Sequence, residues 1–166
     1  MKKLLVFFLL VSAHVFAQIN TQPKQDLVKD PFFNTPQKNA PAEKVKLIHS
    51  DFFQKVIDKY QGNPYFSGNV QFAHQGSVLT ADEVIFYQEQ NFVKAIGNVK
   101  LQNADGSVIT SGEMEYDGNT QKGIARKKVL LIDPGQTIET ETLYYDRISN
   151  KAYFNTKVIF KLTRYS

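Results

Sequence analysis

The sequence contains no cysteine, and this absence excludes several kinds of chemistry. No disulfide can stabilise the fold, no thiol can act as a nucleophile, and neither cysteine-based metal sites nor thiol redox chemistry is possible. Stability must therefore come from a hydrophobic core or from assembly with other chains.

A strong excess of either charge is also missing. The chain has 20 Lys and Arg residues against 16 Asp and Glu residues, which gives a formal net charge of +4. Without Lys2 and Lys3 the balance is 18 basic to 16 acidic residues, or +2. The sequence has no polybasic tract of the kind that neutralises a phosphate backbone, so we expect no nucleic-acid partner.

No apolar run is long enough to span a membrane, which takes roughly 20 residues. The N-terminus instead has a basic start at Lys2 and Lys3, an apolar stretch over residues 4–11 and small residues suited to cleavage within 15–17. This arrangement predicts a cleavable secretory signal peptide over residues 1–17, with an uncleaved anchor as the alternative. No cysteine follows the apolar stretch, which excludes a bacterial-type lipoprotein anchor.

Residues 18–46 hold four of the six prolines, together with many Gln, Asn and Lys residues. This composition predicts a flexible, Pro-rich leader with little regular structure. Phe32 and Phe33 are its one apolar spot, and we interpret them as an incidental pair rather than as a docking segment.

The segment that follows, LIHSDFFQKVIDKYQGNPYF, is ambiguous. Its apolar residues fall at helical spacing over residues 52–60, which allows a short helix. The competing interpretation is strand, turn, strand. The second interpretation is favoured because LIHSD, at the start of the segment, resembles LTAD at residues 79–82.

In the rest of the chain apolar and polar residues alternate, which is typical of strands with one buried face. The first strands of four repeats are anchored by valines at steps of 29, 30 and 29 residues: Val70, Val99, Val129 and Val158. A second strand lies between successive anchors, and its three copies are LTADEVIFY, ITSGEMEYD and IETETLYYD. Turn residues such as Asp-Gly separate the apolar runs. The sequence therefore predicts an all-β domain over residues 47–166, built from stacked antiparallel repeats of about 29–30 residues.

One repeat has a single apolar face that it cannot bury alone, so the copies must stack into a continuous lining. This lining is either closed as a packed core or left open as a groove. Small residues on the same side leave room for something else inside; they are Gly68, Ala95, Gly97 and Ala125. The first and last strands are unpaired edges, which predicts head-to-tail self-association by strand addition, unless the leader or the Lys-rich C-terminal end covers them.

The chain offers no convincing catalytic or metal site. His49 and His74 sit in different repeats without a paired acid, and we interpret His74, beside a turn, as a solvated residue. Acidic residues recur at matching repeat positions, which is more typical of a solvated outer face than of converging catalytic carboxylates. These acids are Asp82, Glu83, Glu113, Glu115, Glu139 and Glu141. We expect no enzyme activity, no cofactor and no metal, and a polysaccharide-acting enzyme is the rival hypothesis.

In their order, spacing and repetition, several motifs resemble the OstA-like, or LptA-type, family, in the branch found in Bacteroidetes-type bacteria. The motifs are LIHSD, GNVQF, LTADEVIFY, KAIGNVKL, SGEMEYDGNTQKGIARKKV and TETLYYD. The resemblance implies a V-shaped β-jellyroll (β-taco), open along one side, in a non-catalytic periplasmic protein that shields the acyl chains of lipid A. The implied partners are lipopolysaccharide and the lipopolysaccharide-transport components of the inner and outer membranes.

By matching positions, the resemblance implies a lipid-binding groove lined by two apolar residues from each of six strands. These residues are Val70, Phe72, Val84, Phe86, Val99, Leu101, Met114, Tyr116, Val129, Leu131, Leu143 and Tyr145. The lead hypothesis is therefore a lipid carrier that bridges to partner β-jellyroll proteins. The alternative is a structural or adhesive β-repeat module with a closed core.

Overall fold

The computed structural model describes residues 27, 29–34, 43–55, 60–154 and 157–162. The predicted signal peptide and most of the leader lie outside these residues. The described part contains no α-helix, and neither of its two 3-10 turns has the length and hydrophobicity that a membrane crossing requires. The turns are Pro31–Asn34 and Tyr60–Gly62, and the ten strands are β1 (Lys46–His49), β2 (Phe52–Gln54), β3 (Tyr65–His74), β4 (Ser77–Tyr87), β5 (Phe92–Gln102), β6 (Val108–Asp117), β7 (Lys122–Asp133), β8 (Gln136–Asp146), β9 (Lys151–Phe154) and β10 (Val158–Leu162).

All ten strands belong to one antiparallel sheet, in the order β1-β3-β4-β5-β6-β7-β8-β10. β1 and β2 both pair with β3, and β9 and β10 both pair with β8, so each couple forms the two halves of one interrupted strand. Within the described residues the two ends of this sheet do not pair with each other. The predicted all-β fold, an unclosed β-jellyroll sheet, is confirmed, as is the strand interpretation of the LIHSD segment.

Every long strand bends at the same level of the sheet. The pairing register shifts there between all neighbours from β3 to β8, because the odd-numbered strand carries one extra residue. The odd-numbered strands hold two successive left-handed residues at the shift, with φ between 43° and 76°. These pairs are Gly68–Asn69, Gly97–Asn98 and Lys127–Lys128. We call this row of bends the corner line.

The corner line divides the sheet into two walls. Wall A comprises residues 52–54, 65–67, 83–87, 92–96, 113–117, 122–126, 142–146 and 151–154, and wall B comprises residues 46–49, 70–74, 77–81, 99–102, 108–111, 129–133, 136–140 and 158–162. The walls face each other, since the ring centroid of Phe72 in wall B lies 5.5 Å from that of Phe66 and 5.2 Å from that of Phe86, both in wall A. The apolar faces of the repeats therefore enclose one interior.

The repeated Gly-Asn dipeptides are explained by the corner line. A side chain on Gly97 would collide with Asp82 on the neighbouring strand, and Asn98 donates a hydrogen bond of 2.8 Å from Nδ2 to the Asp82 carboxylate. The same arrangement, with an Asn-to-Asp hydrogen bond of 2.9 Å, occurs at Gly68 one repeat earlier. These two glycines are small because of the bend, and not, as expected from the sequence, to leave room inside.

The third corner lacks the Gly-Asn dipeptide and is built by an exchange of residue types. Lys127 stands where Gly97 stands one repeat earlier, and Gly112 stands where Asp82 stands. A Cβ added to Gly112 would lie only 2.9 Å from the Cβ of Lys127. Each of these corners therefore holds one glycine in the facing pair, on whichever strand.

A second, smaller apolar cluster lies on the outer face of wall A, where side chains alternate with those of the interior. Phe33, from the turn Pro31–Asn34, is 3% exposed there, and its ring stands edge-on to that of Phe92 at 5.3 Å. The interpretation of Phe32 and Phe33 as an incidental pair is therefore wrong, because this part of the leader docks on wall A. The cluster contains Phe33, Ile85, Tyr87, Phe92 and Ile124.

The corner line predicts that Gly97→Ala destabilises the fold more than an ordinary glycine substitution. Alanine at this position meets both a left-handed backbone, with φ of 76°, and a collision with Asp82. We expect the free energy of unfolding, measured by urea denaturation, to fall by roughly 2–4 kcal/mol.

Gly106→Ala is the matched control for this substitution. Gly106 has φ of 90°, but no atom lies within 4 Å of an added Cβ, so only the backbone penalty applies. A loss of roughly 1 kcal/mol is expected for the control. If both variants lose the same free energy of unfolding, the close approach of Asp82 to Gly97 does not constrain the bend.

Candidate functional site

The interior between the walls holds all twelve residues predicted as a groove lining. Each is at most 8% exposed, and all belong to one continuous apolar cluster, called here the interior cluster. Six come from wall A and six from wall B, because the residues of one face continue on the same side after each bend. The structure thus brings the predicted set together, while contact with a lipid stays a prediction.

Several further members of the interior cluster lie outside the twelve residues predicted as its lining. Four of them alternate in step with the predicted residues of their own strand, so a period of two places them on the same face. These are Phe66, Val93, Ala95 and Ala125. In β4, β6 and β8 the alternation changes phase at the corner line, so a period of two does not find the other members of those strands. These are Leu79, Ala81, Ile109 and Ile138. Val45 also belongs to the cluster, but it precedes β1 and has no periodic signal.

The interior is filled by protein side chains in this structure. A cavity of about 10 Å³ remains beside Val45 and Tyr116. That volume is close to what a single water molecule occupies, whereas small-molecule sites measure roughly 300–1,000 Å³. An acyl chain therefore enters only if the walls separate or if protein side chains leave the interior.

A larger depression of about 490 Å³ lies on the surface near the corner line, beside β7, β8 and β10. Its lining includes Lys128, Glu139, Glu141 and Lys157. Charged groups of both signs are unsuited to an acyl chain, because their burial against hydrocarbon removes their hydration. The interior remains the better candidate for a lipid site despite its smaller volume.

The interior continues to both open edges of the sheet, and apolar side chains are exposed there. At the first edge Phe53, which pairs with Phe66 of the interior cluster, is 59% exposed. At the last edge Phe160, which pairs with Ile138 of that cluster, is 62% exposed, and Leu162 is 81% exposed. The apolar lining thus ends in solvent at each side of this chain.

Opposite the corner line, the free rims of the two walls meet through polar contacts. His74 in wall B lies 2.8 Å from Tyr116 Oη of wall A through its Nδ1 atom. Arg147, in the turn after β8, donates to the backbone carbonyl of Gln75 at 2.6 Å and to its side-chain oxygen at 3.1 Å. We call this polar seam the mouth of the interior.

His74 is buried, at 5% exposure, so its interpretation as a solvated turn residue is wrong. Its Nε2 lies 2.9 Å from the Glu43 carbonyl oxygen, which can only accept, so Nε2 carries the proton and Nδ1 accepts from Tyr116 Oη in the neutral form. Burial lowers the pKa of His74 below its ordinary value, the Glu43 carbonyl opposes this, and the charges of Arg147 and Lys46 add to the lowering.

The recurrent acids lie on outer faces, and several pair with basic residues of neighbouring strands. Glu115 accepts from Arg126 at 3.0 Å, and Glu113 forms an ion pair with Lys127. Among the described residues, no three His, Cys, Asp or Glu side chains come together as a metal site requires. The ladder of acids is therefore a set of cross-strand surface contacts, each of small energetic value.

The mouth predicts a loss of stability on mild acidification. The unfolded chain protonates His74 near its ordinary pKa of 6.5, whereas the folded protein resists protonation until a lower pH. The unfolded state therefore binds more protons between those two values, and the free energy of unfolding falls as the pH drops below about 6.5. We expect the free energy of unfolding, measured by urea denaturation at several pH values in this range, to change less steeply with pH in His74→Gln than in the parent protein.

The control for this measurement is His49→Gln, which removes an exposed histidine of β1. Comparison of the two variants separates His74 from the general titration of carboxylates, which both variants retain. If both substitutions reduce the pH dependence of the free energy of unfolding equally, that dependence does not come from the buried His74 ring.

The comparisons with known proteins agree with this architecture. The crystal structure of LptH, the LptA homologous periplasmic component of the lipopolysaccharide transport device from Pseudomonas aeruginosa, matches with a TM-score of 0.62 at 16% identity, over 75% of this chain and 100% of LptH. That likeness concerns the fold, and no curated protein sequence matches the chain. A family model described as OstA-like protein matches residues 42–159, which include all strands from β1 to β9. With most of its length matched by that model, the chain belongs to the OstA-like protein family.

Proposed function

We propose that this chain is a non-catalytic periplasmic carrier that shields lipopolysaccharide acyl chains in the interior between walls A and B. The observation that carries the proposal is the continuous apolar interior, which runs from one open edge of the sheet to the other and ends in exposed apolar side chains. Membership of the OstA-like family supports it, as does the fold shared with a periplasmic component of a lipopolysaccharide transport device.

The energetics favour such a shield. Burial of one methylene is worth roughly 0.8 kcal/mol, so an acyl chain of twelve to fourteen carbons left in water costs on the order of 10 kcal/mol. A wall is about five residues deep along each strand, or roughly 17 Å, which is comparable to half of a bilayer hydrocarbon core. An acyl chain that crosses between the walls is therefore covered over most of its length.

Entry of lipid requires the filled interior to widen. The sheet is unclosed, and the two walls join at a bend that holds two left-handed residues in each of β3, β5 and β7, so we propose the corner line as the hinge. The rims opposite this hinge meet through the polar contacts of His74 and Arg147 rather than through ladder hydrogen bonds. Apolar contacts with the lipid then replace the contacts that the two walls make with each other.

The open edges are the proposed contact surfaces for bridging. β1 and β2 form one edge and β9 and β10 form the other, and each has one side that no strand pairs with among the described residues. Unpaired N–H and C=O groups accept an added strand, and exposed Phe53 and Phe160 continue the apolar lining across such a junction. We propose that these edges join further copies of the chain and the transport components of the inner and outer membranes.

A second candidate is a structural or adhesive β-repeat module. The observation that favours it is the small size of the remaining cavity, about 10 Å³, because a dry and filled core is what such a module requires. The two candidates share the same fold and differ in whether a lipid ever contacts the interior cluster.

Photo-crosslinking distinguishes the carrier from the module. A photoreactive amino acid at Phe86 or at Met114, both buried in the interior, should capture lipopolysaccharide in cells that make it. The matched control is the same group at Ile132, which is 41% exposed on the opposite face of wall B. Failure of both interior positions to yield lipid adducts, or equal yields from Ile132, would contradict the carrier.

A further inference from the structure

Residues 43–45, immediately before β1, cross the mouth of the interior. Val45 is 5% exposed and belongs to the interior cluster. It is the one buried member of that cluster, among the described residues, that does not come from a strand. Its side chain therefore fills part of the interior without belonging to either wall.

This short segment is held to both rims at once. On the rim of wall A, Asn91 accepts a hydrogen bond of 2.8 Å from the Val45 N–H, and its Nδ2 donates to the Glu43 carbonyl at 3.0 Å. On the rim of wall B, His74 Nε2 donates to the same carbonyl at 2.9 Å. One backbone oxygen thus joins the two walls, and Asn91 is completely buried beneath it.

A cavity of about 10 Å³ in the interior lies directly under this segment. Val45, His74 and Tyr116 are among its lining residues. On the other side the fit is tight, since a Cβ added to Gly118 would lie 2.7 Å from Val45 Cγ2. Removal of Val45 from its place therefore opens the mouth onto this cavity.

We propose that residues 43–45 are a displaceable strap that closes the mouth, and that an entering acyl chain takes the place of the Val45 side chain. This inference rests on the proposed carrier function. Ladder pairing in β1 starts only at Lys46, opposite Ala73, so the strap can leave without the loss of any strand pairing. The exchange replaces one apolar group in the interior by another, which limits its cost.

The cysteine-free sequence allows a direct test of the strap by thiol labelling. Val45→Cys places one thiol on the inner side of the strap, and Val99→Cys, 1% exposed in β5, is the matched control. A strap that opens locally should let a soluble thiol reagent modify Cys at position 45 at least about tenfold faster than at position 99, whose exposure requires the sheet to open. Equal rates would overturn the strap, whatever the lipid does.

The second arm uses cis-parinaric acid, a fatty acid whose fluorescence rises in an apolar site. At saturating fatty acid we expect labelling of Val45→Cys to accelerate further, because the bound state holds the strap away from the interior. Val45→Gly, which lacks the side chain to be displaced, should bind the fatty acid more tightly, by about threefold to tenfold.

The outcomes separate this inference from the carrier function. Fatty acid that binds while the thiol at position 45 stays protected would overturn the strap and leave the carrier intact, since the chain then enters by the open edges. Absence of fatty-acid binding in both the parent protein and Val45→Gly would contradict the carrier itself, and the lipid-displaced strap with it.

Discussion

The bend at the corner line determines how the two walls, the interior and the mouth are placed. Left-handed residue pairs at one level of β3, β5 and β7 let a single apolar face fold onto itself, where a flat sheet would leave it in water. The close approach of the strands at the bend requires a glycine in each facing pair, provided by Gly68, Gly97 or Gly112. Because the bend recurs along the sheet, the apolar side chains of the interior form one continuous row that extends from one edge of the sheet to the other.

Stability and the proposed function use the same side chains. The interior cluster that holds the empty protein together is also the surface offered to lipid, and the filled space means that a ligand must replace protein contacts. The parts best suited to yield are those outside the ladder of strand pairing. Val45 lies over the cavity, and His74 and Arg147 link the rims by a few polar contacts. The contacts that a ligand can replace without breaking strand pairing therefore lie at the mouth, whereas the contacts that fix the bend lie at the corner line.

The sequence predicted the all-β fold well, because the alternation of apolar and polar residues and its recurrence every 29–30 residues can both be found along the chain. They identified the strands and the twelve interior residues, including Val70 and Tyr145, at the two extremes of the predicted set. What escaped prediction depends on contacts between distant segments. The sequence indicates a solvated turn residue at His74 and an incidental apolar pair at Phe32 and Phe33. The contacts of His74 with Tyr116 and of Phe33 with Phe92 join segments far apart in the chain. Lys127 interrupts the Gly-Asn pattern at the third corner. The glycine of that facing pair is Gly112, and it is recognised only when the neighbouring strand is known.

Met114 offers a direct test of whether an acyl chain enters the space between the walls. Besides Met1 it is the only methionine, and its side chain lies in the middle of the interior at 2% exposure. The methyl resonance of isotopically labelled Met114 reports a nitroxide that comes close to it. Addition of a nitroxide-labelled stearate should broaden this resonance, and chemical reduction of the nitroxide should restore it. A Met114 signal that stays sharp while the protein binds the labelled stearate would contradict the account.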